Sequence, residues 1–353
     1  MNLSPANPVG RLRRERGWSQ RELANRSGVS RAEVSAVENA RLSPSIATGL
    51  ALARALGRTV EELFALPRAG GDAVWAFPPR TSSGRFWEAG VGDRRLLFPV
   101  EPTALGVVPH DGTFRSHSLD RDTRAACEDT VVIAGCDPAV GLLASELRRA
   151  DGLRVIPLPR SSREALSLLE RGLVHAAGVH WFPESGRDGN ASVVSTSLGS
   201  GYALLHLARW QEGVALAPSL RVRSASALTR SRIRWVGREE GSGARRCLDR
   251  LLGEGRPSKR FRHFASDHRG VAQAVAGGWA DAGVAVRLAA EEAGLDFLLV
   301  QREDYDLCFP EALRSDRAVL ALGRALRSGA VRRLYRDLPG YDVRRMGEER
   351  VVA

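Results

Sequence analysis

Lysine is almost absent from the 353 residues: Lys259 stands alone in an otherwise arginine-built cationic complement, and the formal net charge is +11. An excess of that sign suits a polyanionic partner, but it is spread along the chain instead of forming a block, so charge by itself names none. Cysteine is scarce too. Cys127, Cys136, Cys247 and Cys308 lie far apart with no CxxC pair, which excludes a recognisable zinc motif or disulfide framework and fits reduced thiols. No stretch approaches the roughly 18 uninterrupted apolar residues of a membrane helix. Met1 to Arg16 turns basic where a secretion signal needs its apolar run, so a cytoplasmic protein without a membrane partner is expected. The signatures of common catalysts are missing as well: there is no GxSxG, no Walker A loop and no HExxH, and GSGARR lacks the third glycine of a dinucleotide fingerprint. Among seven histidines, His175 and His180 share a strand end and His263 and His268 a helix start, but neither spacing is that of a metal-ligand motif. No enzyme activity, cofactor or metal is therefore expected.

What is present describes an ordinary globular chain, 43% apolar and 26% charged, too long for one hydrophobic core. A multidomain fold is expected: helices over 1–66, a β-rich connector over 67–128, and a two-lobed α/β domain over 129–345. Between Val9 and Leu66 the apolar residues recur at helical spacing in five short segments. The first stops at Gly17. Ser19 caps a second, Gln20 to Ser27, closed by Gly28, and Ser30 caps a third, Arg31 to Asn39, with Glu33 placed for a capping box. Pro44 and Ser45 open a fourth to Leu56, and Thr59 caps a short fifth. Helix, Gly-containing turn, helix is what seating a second helix in a DNA major groove requires, with Ala24 and Gly28 allowing the close approach.

The segment from Trp18 to Phe64, with its S-Q-x-x-L-A, S-G-V-S and V-E-N-A-R-x-x-P runs in order, resembles the lambda-repressor/Cro-like (XRE) DNA-binding family. The resemblance implies that Gln20 binds phosphate at a helix N-terminus, that Asn39 and Arg41 hold the backbone beyond the recognition helix, and that Glu38 pairs with Arg13 structurally. If Val34 and Val37 face the core, Arg31, Ala32, Ser35 and Ala36 face outward as base readers, Arg31 being able to take a guanine bidentately. Arg21 and Ser30 complete the candidate DNA-contacting set.

From Pro67 to about Glu128 helical periodicity vanishes. Arg85 to Val91 and Arg94 to Val100 flank Gly92-Asp93 and predict a β-hairpin. Trp75, Phe77, Phe86, Trp87 and Phe98 are assigned to the core of a small β element in preference to an aromatic ligand cage. After Asp129, short aliphatic runs such as TVVIAG and RVIPL alternate with helices of about ten residues, predicting parallel strands with crossover helices in two tandem units. In such sheets ligands lie beyond the strand carboxyl ends, where helix N-termini aim free amides. Four joints carry suitable residues: Gly135-Cys136-Asp137-Pro138, Arg160-Ser161-Ser162, Arg238 with Gly241-Ser242-Gly243, and Ser266-Asp267-His268. Helix dipoles and Arg238 favour an anionic or carboxylate-bearing solute.

The ordered runs VVIAGCDPAVGLLASEL, LPRSSREALSLLERGLVHAAGVH, LARWQEGVALAP, REEGSGARRCLDRLL, HRGVAQAVAGGWADAGVA and EDYDLCFP look like the periplasmic-binding-protein-like (type II) domain fused behind XRE helices in bacterial regulators, and are similar to molybdate-type solute-binding proteins. Ser161, Ser162 and Tyr305 match the hydroxyl donors of the molybdate pattern in kind; Gly135-Cys136 stands where that pattern has a serine. Asp281 completes the candidate ligand set. The resemblance implies a ligand-responsive transcription regulator, a homodimer on double-stranded DNA, sensing molybdate, tungstate or another small anion. Two other readings are an α/β domain that only dimerises and an enzyme of unknown reaction.

Overall fold

The computed structural model describes residues 8–352 except 40–41, 43, 59, 61–62, 64–72, 104, 117, 122–126, 183–188, 221, 223, 225–226, 229–232 and 254–260. The chain divides into two compact units, 1–71 and 72–353. The first contains α1 (Pro8–Glu15), α2 (Gln20–Ser27), α3 (Arg31–Glu38) and α4 (Ile46–Ala55). Their starts follow from serine chemistry: Ser19, Ser30 and Ser45 hold extended backbone and accept from the amides of Glu22, Glu33 and Thr48. Glu33 returns a bond to Ser30 and closes the expected box. Gly28 ends α2 at φ +69°, a left-handed conformation that residues with a side chain adopt reluctantly. Asn39 lies one position past α3, and its amide donates to the Ser35 carbonyl at 2.8 Å. Most of the expected fifth helix falls outside the described residues, although Val60 and Leu63 pack on the core made by Val9, Leu12, Leu23, Val34, Val37, Leu52 and Leu56.

One ion pair braces this unit. Arg13 Nε and a terminal nitrogen meet the two Glu38 oxygens at 2.6 and 3.0 Å, and its other terminal nitrogen donates to the Trp18 carbonyl at 2.6 Å. Both side chains are nearly enclosed, 11% and 6% exposed. Burial works against the Glu38 carboxylate, yet the bonds from Arg13 and Gln20 hold its pKa below the usual range.

The second unit opens with a five-stranded sheet ordered β1-β3-β2-β4-β5: β1 (Val74–Trp75), β2 (Ser83–Val91), β3 (Arg94–Pro99), β4 (Gly112–Arg115) and β5 (Ser118–Arg121). The expected hairpin is β2–β3, with Val91 opposite Arg94 across a turn in which Gly92 has φ +56°. The aromatic residues are packing groups. Trp75 stands edge-on to Phe86 and Phe114, while Trp87, Leu96 and Phe98 are buried against Val132, Ile156 and Leu158 of the α/β layer.

That layer runs β6 (Thr130–Gly135), α5 (Val140–Asp151), β7 (Arg154–Pro159), α6 (Ser162–Glu170), β8 (Ala176–His180), α7 (Gly189–Leu198) and β9 (Tyr202–Leu216). It continues with β10 (Trp235–Arg238), α8 (Gly243–Leu252), β11 (His263–Ala265), α9 (His268–Ala276), β12 (Ala282–Val286), α10 (Arg287–Glu292) and β13 (Asp296–Pro310). It closes with α11 (Arg317–Arg327), α12 (Gly329–Arg336), β14 (Tyr341–Asp342) and β15 (Glu349–Val351). The main sheet is ordered β11-β10-β12-β9-β13-β8-β6-β7, with β14 and β15 on β9. β6, β7 and β8 are mutually parallel and form one lobe; β10, β11 and β12 form the other. Strands such as β6 are buried along almost their whole length, as crossover helices on both faces require.

Two strands belong to both lobes. The segment Tyr202–Leu216 is a single 15-residue strand, β9, paired antiparallel with the equally long β13 from Tyr202 opposite Pro310 to Leu216 opposite Asp296. Register shifts at Leu299/Gln301 and Tyr305/Asp306 bend β13 where it crosses from one lobe to the other. Arg154 fastens the small sheet to this layer through both Asp111 oxygens, at 2.6 and 2.7 Å, and the Glu88 carbonyl.

Glu38→Gln leaves the Arg13 guanidinium enclosed without its counter-charge. It is expected to cost roughly 2 kcal/mol locally. Hydrogen exchange of the full chain checks this: amides of α1 to α4 should lose protection while those of β6 to β8 do not, and unchanged protection in α3 would refute the brace.

Candidate functional site

Two surfaces qualify. On α3 the burial pattern separates structure from contact: Val34 and Val37 are buried, Arg31 and Ala32 are exposed, and Ser35 and Ala36 are half-exposed. Arg21 and Asn39 are exposed as well. The Gln20 side chain is partly spoken for, since it donates to Glu38 at 3.0 Å, leaving its second amide hydrogen for other partners. The Ser30 hydroxyl is engaged in its capping box. Arg41 lies outside the described residues.

The second surface is a cleft of about 340 Å³ between the lobes of the α/β domain. Gly135, Cys136, Asp137 and Pro138 line one wall from the end of β6, and Ser266, Asp267, His268, Arg269 and Gly270 line the other from the start of α9. Leu207, Tyr305 and Leu307 of the two shared strands form its floor. Arg269 spans the mouth, donating to the Pro138 carbonyl at 3.3 Å while paired with Glu292 at 2.5 Å.

Several residues expected to touch ligand have other employment. Asp137 is buried and accepts from Ala139, Tyr341 and Tyr335 at 2.9, 2.7 and 3.2 Å, so its carboxylate anchors α12 and β14. Burial pushes its pKa up despite those bonds. Ser161 closes a capping box with Glu164, and the Ser162 hydroxyl exchanges bonds with the His180 backbone. Ser242 caps α8. The glycines make room for protein neighbours: a Cβ on Gly135 would lie 2.4 Å from the Tyr305 hydroxyl, and one on Gly243 would lie 2.5 Å from the His180 ring. Gly241 serves its own backbone at φ +87°. Asp281 stands at the amino end of β12, opposite to the ligand-facing ends, and is held by Arg234 at 2.6 Å. Of the expected set, Gly135, Cys136, Asp137 and Tyr305 line the cleft. Arg238 lies behind its wall, donating to the Ser266 carbonyl at 3.1 Å.

Behind the floor lies a buried polar chain that sequence reasoning missed. His180 meets Cys136 Sγ through Nε2 at 3.2 Å and Glu303 through Nδ1 at 2.7 Å. The Gln301 amide donates to Glu303 at 2.6 Å and to Glu212 at 2.7 Å. Trp210 packs on Tyr305 with ring centroids 4.5 Å apart, and the His180 and His268 rings are 5.9 Å apart. Arg238 is 2% exposed, and its Nε and one terminal nitrogen have no partner among the described residues; neither have both ring nitrogens of His268, 1% exposed. Burial opposes charge on His180, but Cys136 and Glu303 outweigh it and raise its pKa well above the ordinary histidine value. For His268, burial, Arg238 and His180 all act downward, keeping it neutral. His175 is no part of this group, its Nδ1 accepting from the Val132 amide at 3.0 Å, and His263 is exposed beside Trp279.

Burial and the charge of Glu303 push the Glu212 pKa up from 4.5 to about 8. The folded chain therefore keeps a proton that the unfolded chain releases, so stability falls as pH rises through that window. Glu212→Gln is expected to flatten the stability curve between about pH 5 and about pH 8, as read by denaturant unfolding; a slope equal to the wild type's would contradict the assignment.

Residues 9–63 match the helix-turn-helix family model, and residues 144–327, over half of the chain, match that of the PBP superfamily domain. The protein YvgK of Bacillus subtilis is 26% identical over 227 residues, covering 62% of this chain and 72% of that protein. The HTH-type transcriptional regulator PuuR of Escherichia coli is 32% identical over 65 residues, covering 18% of this chain and 35% of that protein. Among solved structures, PhnD1 from Prochlorococcus marinus in complex with methylphosphonate aligns with a TM-score of 0.42 and 14% identity over 61% of this chain and 92% of its own. The chain belongs to the PBP superfamily, joined at its N-terminus to a helix-turn-helix domain, the make-up of a transcription regulator with a solute-binding domain.

Proposed function

We propose that the chain acts in the cytoplasm as a homodimeric transcription regulator, without an enzymatic step, and that a small anion bound between its α/β lobes alters the spacing of two DNA-reading helices. The observation that carries the solute reading is the buried guanidinium of Arg238, with two donor nitrogens unsatisfied beside a cleft of about 340 Å³. Leaving such donors without a partner costs free energy that an oxyanion or carboxylate recovers by accepting from them. The free amides at the N-terminus of α9, which opens on the cleft, favour the same sign of charge. Molybdate, tungstate, sulfate, phosphate and small carboxylates share this chemistry.

For DNA, the reading is that Arg31 reaches a base edge, with Ala32, Ser35 and Ala36 in apolar or weak polar contact, while Gln20, Arg21, Ser30, Asn39 and Arg41 serve the backbone. The exposure of Arg31 and Ala32 above buried Val34 and Val37 supports it.

A thermal-shift series with these anions tests the first half. A ligand at 100 times its Kd should stabilise the domain by about 2.7 kcal/mol. Arg238→Leu should abolish the shift; a shift that survives this change, or none with any anion, would remove Arg238 from the site. Footprinting tests the second half, with two half-sites about 34 Å apart expected. Arg31→Ala should relax base preference, whereas Gln20→Ala should weaken cognate and random DNA alike. A monomer on one unsymmetrical site, or equal effects from both changes, would overturn this division of roles.

A further inference from the structure

We propose that Cys136, His180 and His268 form a binding site for a zinc-class divalent ion at the cleft, with its fourth position open toward the solute. These residues come from three elements: the end of β6, the last position of β8 and the first of α9. Their ligating atoms lie within 4.8 Å of one another, and all three side chains are buried. Tetrahedral zinc with one thiolate and imidazole ligands places sulfur and nitrogen about 3.5 Å apart. The Cys136–His180 separation of 3.2 Å needs only a small opening to reach that.

His268 is the observation that points to a ligand. Its ring is 1% exposed, and neither nitrogen finds a partner among the described residues, although one faces the neighbouring sulfur and imidazole. A buried imidazole with neither nitrogen bonded has ring nitrogens free to ligate a metal. His180 is prepared in a different way. Glu303 meets its Nδ1 at 2.7 Å, which orients the ring with Nε2 toward Cys136, the carboxylate–histidine relay usual behind metal-bound imidazoles. Gln301 in turn orients Glu303. On binding, the proton shared between Sγ and Nε2 leaves to solvent and the ion takes its place.

Because Cys136 and His268 line the cleft, the open fourth position faces the same space as the solute. The metal site does not depend on the anion reading. Its residues span both lobes, so the ion would hold them together.

Cobalt(II) titration of the chelator-treated full-length chain tests the proposal. One equivalent should bind with tetrahedral d–d bands and a thiolate-to-cobalt charge-transfer band. Cys136→Ser should lose the charge-transfer band, and Glu303→Gln should keep it while weakening affinity about 10- to 100-fold. His268→Gln, which preserves Cys136, should weaken binding and change the d–d spectrum, so the test does not rest on the folding of one variant. No band in the wild type, or the same band in Cys136→Ser, would overturn the site. Anion shifts measured in chelator read the solute proposal separately: anion binding without the cobalt band defeats the metal site alone, and the cobalt band without any anion shift defeats the solute reading alone.

Discussion

Everything in the α/β domain hangs on the antiparallel pairing of β9 with β13. Each strand is 15 residues long, twice what one lobe needs, so the same backbone ladder runs through both halves. A ladder so long cannot stay flat, and the two register shifts in β13 take up the bend. Where the strands cross between lobes, the parallel strands on either side end, and their carboxyl ends face one another. The cleft is a consequence of that geometry more than of any one side chain. Tyr305, Trp210, Glu212 and Glu303 come from the crossing itself, which ties the chemistry of the floor to the position of the hinge.

The polar chain at the crossing is expensive to bury, and its design keeps the cost down. Glu303 is shared between His180 and Gln301, while Glu212 shares Gln301 and stays protonated up to about pH 8, so two carboxylates are not charged side by side. Among the described residues, Arg238 and His268 of the second lobe keep unpaired nitrogens, as do the Trp210 indole and one Glu212 oxygen at the crossing. The proposed occupant of the cleft would take up the unmet bonds of Arg238 and His268. Such an occupant would bridge the lobes, adding to the two shared strands, the Arg269–Pro138 contact, the stacking of Arg246 and Arg250 on Trp181 and Phe182, and the C-terminal return through β14.

Much of this was legible in the sequence. The serine caps, the Gly28 turn, the Gly92-Asp93 hairpin and all four strand-to-helix joints stand where the residue pattern puts them, because local chemistry determines each. The ligand residues were less accessible. Ser161 and Ser242 carry the signal of an N-cap whether or not a ligand is near, and capping is what they do. Gly135 and Gly243 answer to Tyr305 and His180, partners more than forty residues away that no local pattern reveals. Glu212 and Glu303 occupy strand positions that read as solvent-facing until β9 and β13 are paired through the middle of the domain. His180 and His268 were visible as strand-end and helix-start histidines, but their meeting depends on the closure of two lobes.

The proposed solute would unite the lobes at the β9–β13 crossing. Hydrogen exchange of the full-length chain with and without molybdate, tungstate, sulfate and phosphate reads that crossing directly. With at least one anion, exchange should slow in the stretches 208–212 and 301–305 and in the first turn of α9. Exchange there that is indifferent to all four would contradict it.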